Sequence, residues 1–270
     1  MSVGFVGMGN MGQMLVTALV RAGALPPEEA VISNRSPEKR RRVAEALPGV
    51  QQAFGNGDLA RRCRTIFLCV KPGETRAVLN DMGPYITDGH LLVLINNTIS
   101  IAMLEERTAA RIAKVIPSVV QTVGKGASLL MFGERCTHED KALLVRLMSA
   151  ISQPHLIAES QARIASDLTS CGPAFISYAF RALSEAARRA APGLSRAEAD
   201  AMIRETAKAT CELMERTGYT FDDIIARVST PGGVTADGIK VMDELFHGLW
   251  EQVLETTVAR EDGKRAKVQL

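Results

Sequence analysis

The first part of the chain alternates short apolar runs with amphipathic segments. The runs have the length and composition of strands, and they cover residues 3–6, 30–33, 65–70, 91–95, 111–117 and 126–132. A mostly parallel sheet covered by helices requires this alternation, which continues to about residue 157. The pattern therefore predicts an amino-terminal α/β domain.

Helix signals replace strand signals after about residue 160. Ser195 and Glu198 have the spacing of a capping box, Gly218 is placed to end a helix, and a last helix is expected after the Pro-Gly-Gly of 231–233. We predict an all-α carboxyl-terminal domain, with domains 1–158 and 159–270. The charged tail from Arg260 is expected to be disordered in part or to extend the last helix.

One apolar face is expected to run along the last helix, because apolar residues recur there at spacings of three and four. A stripe this continuous predicts burial against a second copy, and thus a homodimer formed through the carboxyl-terminal helices. The residues of the stripe are Ile239, Met242, Phe246, Leu249 and Val253.

Composition narrows the choice of partner. The 270 residues carry a net charge of +2 and only 4% aromatic residues, which does not suggest a nucleic-acid surface. No apolar stretch of eighteen residues runs without a charge, and the first residues do not resemble a signal peptide. We expect a cytoplasmic protein with a small-molecule substrate.

The cysteines and histidines do not form a recognisable metal or disulfide pattern. The five cysteines, at 63, 69, 136, 171 and 211, contain no CxxC pair, and the four histidines are scattered. An odd count without pairing favours neither a disulfide framework nor a zinc cluster. We predict no metal site.

Gly7, Gly9 and Gly12 form a GxGxxG pattern between the first strand and an amphipathic helix. In a dinucleotide fold the first glycine permits the turn, the second lets the pyrophosphate approach the backbone, and the third allows close helix packing. The phosphates would bind at the helix amino terminus, beside Asn10 and Met11. The alternative is a purely structural strand-to-helix turn.

The end of the second strand predicts which dinucleotide is bound. An NAD enzyme would show an acid there, whereas this chain has Asn34, Arg35 and Ser36. A guanidinium with amide and hydroxyl donors suits a 2′-phosphate, so NADP(H) is predicted. Ser36 before Pro37 is also a good helix start, and both roles can hold together.

Two further strand ends supply candidate cofactor contacts. Val70 ends the third apolar run and Lys71 and Pro72 follow it, while Asn97 follows the fourth run. Ligands of doubly wound sheets bind at the carboxyl ends of the strands. For Lys71, a place on the open surface is an equally good interpretation.

The order of motifs resembles the pyrroline-5-carboxylate reductase family along nearly the whole chain. The motifs are GxGxxG, "NRS", "VKP", "SCGPAF" at 170–175 and "STPGGVTADGI" at 229–239, of which "PGGVT" is the most specific. The resemblance implies a Rossmann domain, a helical dimerisation domain, and NADPH-dependent reduction of 1-pyrroline-5-carboxylate to proline.

The "STPGGVT" segment offers a grip for the substrate carboxylate. Backbone amides of Gly232, Gly233 and Val234 would bind it at a helix start, with hydroxyls from Ser229 and Thr235. Because a cyclic imine is easily protonated in water, hydride transfer needs positioning and a dry pocket more than an acid–base pair. The alternative is a glycine-rich turn capped by a hydroxyl.

The substrate-side segments depart from the reductase pattern more than the cofactor-side ones. The chain has Ile-Pro-Ser-Val-Val at 116–120 in place of the usual Met-Pro-Asn-Thr-Pro, and Ile-Asn-Asn-Thr at 95–98 in place of Cys-Ala-Ala-Gly. "VIPSV" and "ASDLTSCGPAF" are similar to the reductase-like late competence proteins, a branch of the same family. That branch implies the same fold without assuring proline synthesis.

Two other functions stay open. One is a regulatory protein that retains NADP(H) without turnover, which the 116–120 segment favours. The other is a different dehydrogenase, for another imine or of the β-hydroxyacid group, whose amino-terminal motif is similar. The β-hydroxyacid group implies a lysine on a helix after a glycine-rich stretch, and after Ser170 this chain has none until Lys208.

Overall fold

A computed structural model describes residues 2–268. Eight strands form one sheet in the order β3-β2-β1-β4-β5-β6-β7-β8, and all neighbours are parallel except β6 and β7. This is the doubly wound arrangement that the alternating pattern predicts. The strands are β1 (Val3–Val6), β2 (Ala30–Ser33), β3 (Gln51–Gln52), β4 (Thr65–Leu68), β5 (Leu91–Leu94), β6 (Arg111–Ile116), β7 (Ala127–Phe132) and β8 (Gln153–Leu156).

α-Helices lie between most of the strands and form most of the chain after β8. No helix of the described residues has both the length and the apolar character needed to cross a membrane. The helices are α1 (Asn10–Arg21), α2 (Pro37–Ala46), α3 (Asn56–Arg62), α4 (Thr75–Met82), α5 (Ile101–Glu105), α6 (His138–Ser149), α7 (Ala162–Thr169), α8 (Gly172–Ala190), α9 (Arg196–Thr217), α10 (Phe221–Val228), α11 (Val234–Phe246) and α12 (Leu249–Arg265).

The six predicted strands are confirmed, and two short edge strands were not predicted. β3 consists of two exposed glutamines, and β8 contains a proline and is mostly exposed. Edge strands need no apolar face, so neither carries the signal that buried strands carry. The predicted third strand is shorter than expected, since β4 ends at Leu68 and residues 69–70 enter a turn.

The sheet separates two apolar cores. Alternate strand residues point to opposite faces, so that Phe5 and Phe67 stack on one face with ring centroids 5.1 Å apart, while Val6 and Leu68 belong to the other. α1, α2 and α6 cover the first face, and α3, α4, α5 and α7 cover the second. Burial on both faces explains why β1 and β5 carry no polar side chain and β4 carries only that of Thr65.

The chain divides into two compact units. The first contains the residues up to Pro173 together with those from Thr257 onward, and the second is Ala174–Thr256. The predicted boundary at 158/159 marks where strand signals stop and stays a prediction. In the structure, α7 and the end of α12 belong to the same compact unit as the sheet. Buried Asp167 on α7 accepts hydrogen bonds from Arg163 and from Thr257, and the latter bond joins the two helices.

In the second unit the predicted helix boundaries are confirmed. The Ser195 hydroxyl caps the start of α9 and Glu198 completes the box, while Gly218 ends the helix in the left-handed region at φ +73°. The prediction of one last helix is wrong. A break at His247 and Gly248, the latter at φ +73°, separates α11 from α12, so the apolar stripe lies on two helices. The tail from Arg260 is helical to Arg265.

The second unit has almost no interior of its own. Between 174 and 256, Ser184 and Ala199 are the only buried residues. Its large exposed apolar side chains include Ile176, Tyr178, Leu183, Met202, Leu213, Phe221, Ile225, Val228, Val234, Val241, Met242, Leu245, Phe246 and Trp250. Helices with such faces require a further surface to cover them.

Candidate functional site

The glycine turn after β1 brings α1 unusually close to the strand end. Gly7 adopts φ +99°, which favours glycine, and its carbonyl oxygen would lie 2.0 Å from a Cβ placed at Gly12. A Cβ at Gly9, in contrast, would meet no atom of residues 2–268 within 4 Å. The third glycine is therefore needed for packing, whereas the second keeps an open cradle.

The start of α1 presents free backbone donors. Gly9 precedes the helix without a side-chain cap, and the first helical amide with a backbone partner is that of Gln13, 2.9 Å from the Gly9 oxygen. Within residues 2–268 the amides of Asn10, Met11 and Gly12 have no such partner, as expected for a first turn. Together with the helix dipole they form a site for an anion.

Asn34 fastens the turn to the end of β2. Its Oδ1 accepts the Met8 amide at 2.9 Å, and its Nδ2 donates to the Ser36 carbonyl at 3.2 Å. Asn34 therefore shapes the glycine turn, a structural role that the sequence pattern did not predict. A direct cofactor contact by Asn34 stays a prediction.

Arg35 and Ser36 leave their polar groups open. The Arg35 side chain is 93% exposed, and the Ser36 hydroxyl makes no cap bond although Ser36 is the residue before α2. The Glu74 carboxylate lies 3.6 Å from the Arg35 guanidinium. Arg35 follows β2 and Glu74 follows β4, so this exposed ion pair joins the two strand ends that flank β1. The sequence pattern of the β2 end could not reveal this acid.

Val70, Lys71 and Pro72 follow β4 as predicted, and Lys71 is exposed. Its backbone amide donates to Glu74 Oε2 at 3.3 Å, which holds the loop that carries this acid. The placement agrees with both interpretations of Lys71, and its contact with a cofactor stays a prediction.

Asn97 follows β5, which ends at Leu94, but its side chain is buried within the first unit. It is 8% exposed, its Nδ2 donates to Ser166 Oγ at 2.7 Å, and its Oδ1 has no hydrogen-bond partner among the described residues. A cofactor contact by Asn97 also stays a prediction, and it would require the amide to leave Ser166.

The start of α11, in the second unit, also has open backbone amides. Gly232 has φ +76°, and no backbone partner accepts the amides of Val234 and Thr235 within residues 2–268. The Gly233 amide is already used, since it donates to the Thr230 carbonyl at 2.9 Å. The turn therefore leaves open the amides on either side of Gly233. The Gly233 amide itself, which was predicted to bind the carboxylate, is not open.

Two hydroxyls flank this turn. Ser229 Oγ is buried and has no hydrogen-bond partner in the described part of the chain, and no partner is seen there for the Thr235 hydroxyl. A buried hydroxyl without a partner is costly, and a ligand or a second chain would satisfy it.

Thiol chemistry does not suit the site. Burial raises the pKa of Cys69, beneath the glycine turn, to about 12, and burial also raises the pKa of Cys171. A neutral thiol is a weak nucleophile. The residues that the structure describes hold no group of three or more His, Cys, Asp or Glu that could bind a metal ion.

The doubly wound sheet, the open cradle at Gly9 and the exposed Arg35 guanidinium fit NADP(H), and they define the class as NADP-dependent oxidoreductases. Residues 2–98 match the family described as NADP oxidoreductase coenzyme F420-dependent. Residues 159–263 match the family described as pyrroline-5-carboxylate reductase dimerisation.

Whole-chain comparisons agree. The chain is 32% identical to ComE operon protein 4 of Bacillus subtilis (strain 168), over 95% of this chain and 94% of that protein. It is 29% identical to pyrroline-5-carboxylate reductase 3 of the same organism, over 96% and 94%. A solved pyrroline-5-carboxylate reductase from Coxiella burnetii is 25% identical with a TM-score of 0.88, over 97% and 98%.

The chain therefore belongs to the pyrroline-5-carboxylate reductase family. The predicted fold class, an α/β Rossmann-type domain with an all-α carboxyl-terminal domain, is confirmed, and so is the NADP-dependent oxidoreductase class.

The two glycines predict opposite outcomes for alanine substitution. Gly12→Ala should lower the melting temperature by about 2–10 °C, because the new methyl overlaps the Gly7 carbonyl. Gly9→Ala should leave the melting temperature unchanged and weaken NADPH binding, because its methyl enters the cradle. Thermal melts and fluorescence titrations measure both; wild-type NADPH affinity in Gly9→Ala would contradict the assignment.

Arg35 and Glu74 predict opposite effects on cofactor preference. Arg35→Gln should weaken NADPH by roughly tenfold to hundredfold and leave NADH unchanged, since only NADPH brings a phosphate to the guanidinium. Glu74→Gln should strengthen NADPH by a few-fold, because a negative charge beside that phosphate is removed. Titrations with both cofactors measure the ratio, and equal losses for both in Arg35→Gln would disprove the role of Arg35.

Proposed function

We propose that this protein reduces 1-pyrroline-5-carboxylate, a cyclic imine, to L-proline with NADPH. The observation that carries the proposal is the start of α11, where open amides and two hydroxyls have no partner within residues 2–268 and are suited to a carboxylate at a helix amino terminus. The substrate class is supported by the similarity to pyrroline-5-carboxylate reductase 3 of Bacillus subtilis over 96% of this chain and 94% of that protein.

In this proposal the first unit holds the cofactor. Gly7, Gly9 and Gly12 shape the turn. The amides of Asn10 and Met11 donate hydrogen bonds to the pyrophosphate, and the Arg35 and Ser36 side chains bind the 2′-phosphate. When bound, NADPH supplies a hydride equivalent. Val70, Lys71 and Pro72 line the same sheet edge at the end of β4.

In the second unit the chain holds the substrate. The amides of Gly232, Val234 and Thr235 donate hydrogen bonds to the carboxylate, and the Ser229 and Thr235 hydroxyls donate further ones. Gly233 keeps the turn tight, since a Cβ there would lie 2.9 Å from Thr230 Oγ1. The carboxylate contact orients the ring, and orientation is the main requirement of this reaction.

No strong acid is required of the protein. The imine nitrogen takes its proton from water before it is enclosed, and the residues then need only exclude water and fix the ring. Ser229 and Thr235 thus act by positioning through hydrogen bonds and do not transfer protons.

A second candidate is a regulatory protein that binds NADP(H) without turnover and is linked to competence. It is favoured by the 32% identity to ComE operon protein 4 and by the 116–120 segment. In that segment the Ser118 hydroxyl is committed to the Thr169 carbonyl at 2.9 Å, and Val119 presents an exposed apolar side chain. The cofactor-binding residues would serve either function.

Turnover separates the two candidates. The purified protein should oxidise NADPH only when 1-pyrroline-5-carboxylate is present. Thr235→Val should raise KM by roughly tenfold or more, because one hydrogen bond to a charged carboxylate is lost, and should leave NADPH affinity unchanged. Thr210→Val is the matched control, since its hydroxyl bonds within α9 to the Thr206 carbonyl.

NADPH binding without substrate-dependent oxidation would contradict the reductase proposal and leave the regulatory candidate. A wild-type KM in Thr235→Val would instead contradict the placement of the carboxylate site at the start of α11. The two failures are distinguishable because one concerns turnover and the other concerns a single contact.

We further propose that a second copy of the chain covers the second unit. Only Ser184 and Ala199 are buried there, and exposed apolar side chains occur on each of its helices. The match to a dimerisation family supports a homodimer. Sedimentation at micromolar concentration should give twice the chain mass, and a monomer would contradict the proposal.

A further inference from the structure

Phe54 is the most exposed large apolar side chain of the described residues, at 96%. It follows the edge strand β3 and precedes Gly55 and Asn56 at the start of α3. A phenyl ring this exposed contributes almost nothing to the packing of the edge strand. The ring's position relative to the cofactor-binding edge suggests a different role.

The strand register places Phe54 beside the end of β2. Ile32 pairs with Gln52 in the parallel β2–β3 ladder, and the Ala53 amide donates to the Ile32 carbonyl at 2.9 Å. Continued by two positions past the Ile32–Gln52 pair, this register sets Phe54 opposite Asn34. Phe54 and Arg35 therefore lie on adjacent chain segments at the same carboxyl edge of the sheet.

That edge is where the adenosine half of a dinucleotide is bound. In the doubly wound fold, the residue after β2 contacts the 2′ position of the adenosine ribose. The predicted 2′-phosphate contact, Arg35, occupies this place. A flat apolar ring one strand further out is suited to the face of the adenine base.

The loop that carries Phe54 is fixed from three sides. Arg40 donates to the Ala53 carbonyl at 2.5 Å, and the Phe54 amide donates to Asp58 Oδ2 at 3.1 Å. The Ser33 hydroxyl on β2 donates to Asn56 Oδ1 at 2.7 Å. The backbone is thus held while the ring stays open, which is the arrangement of a preformed binding surface.

We propose that Phe54 stacks on the adenine base of the bound cofactor and contributes to affinity for both NADPH and NADH. Arg35 binds the 2′-phosphate and Phe54 contacts the adenine base, so each side chain recognises a different part of the adenosine half. The inference rests on the cofactor and not on the identity of the imine, and binding alone tests it.

Titration of NADPH and NADH against Phe54→Ala tests the proposal. Both cofactors should weaken by the same factor, roughly fivefold to hundredfold, because the base is common to both. Phe54→Tyr should restore binding to within about twofold. Since the ring is exposed, neither change threatens the fold.

Fragments and a control sharpen the result. Phe54→Ala should weaken 2′,5′-ADP by the same factor and leave reduced nicotinamide mononucleotide unaffected. Phe221→Ala, which removes another exposed ring in the second unit, should leave 2′,5′-ADP binding unchanged. Wild-type affinity of Phe54→Ala for 2′,5′-ADP would overturn the proposal, as would a loss confined to NADPH or one shared by the nicotinamide fragment.

Discussion

The contact between Gly12 and the Gly7 carbonyl is the constraint on which the candidate site depends. A side chain at Gly12 would meet that oxygen at 2.0 Å, so only glycine lets α1 begin directly above the end of β1. This closeness points the open amides of the first turn across the sheet edge. The Asn34 amide group then ties the turn to the end of β2, so the proposed donors for pyrophosphate and for 2′-phosphate follow two connected strand ends.

The other end of the same edge is held by buried charge. Lys114, fully buried on β6, pairs with Glu159 at 2.8 Å and donates to the Ile99 carbonyl at 2.9 Å. Burial lowers the pKa of the Lys114 ammonium, and Glu159 opposes this shift. Thr98 donates to Glu261 on α12 at 2.6 Å, so the end of the last helix helps to fix the loop after β5. Buried pairs of this kind specify an arrangement more than they add stability.

Local sequence signals predicted what depends on neighbours in the chain. Apolar runs located the six buried strands, and the capping box at Ser195 located α9. The break at Gly248 was not predicted, because the spacing from Phe246 to Leu249 continues the helical period across it. Strand order and register determine two further neighbours, which no short motif predicts. They place Glu74 beside Arg35 and Phe54 opposite Asn34.

The most direct test follows the hydride. Incubation of the protein with 4-deuterated NADPH, carrying the label on the transferred face, and 1-pyrroline-5-carboxylate should give proline with one deuterium at C5, detected by mass spectrometry. That result would show that the protein transfers the NADPH hydride to the imine carbon of 1-pyrroline-5-carboxylate. Bound NADPH with no labelled proline, under conditions where a pyrroline-5-carboxylate reductase produces it, would contradict the account.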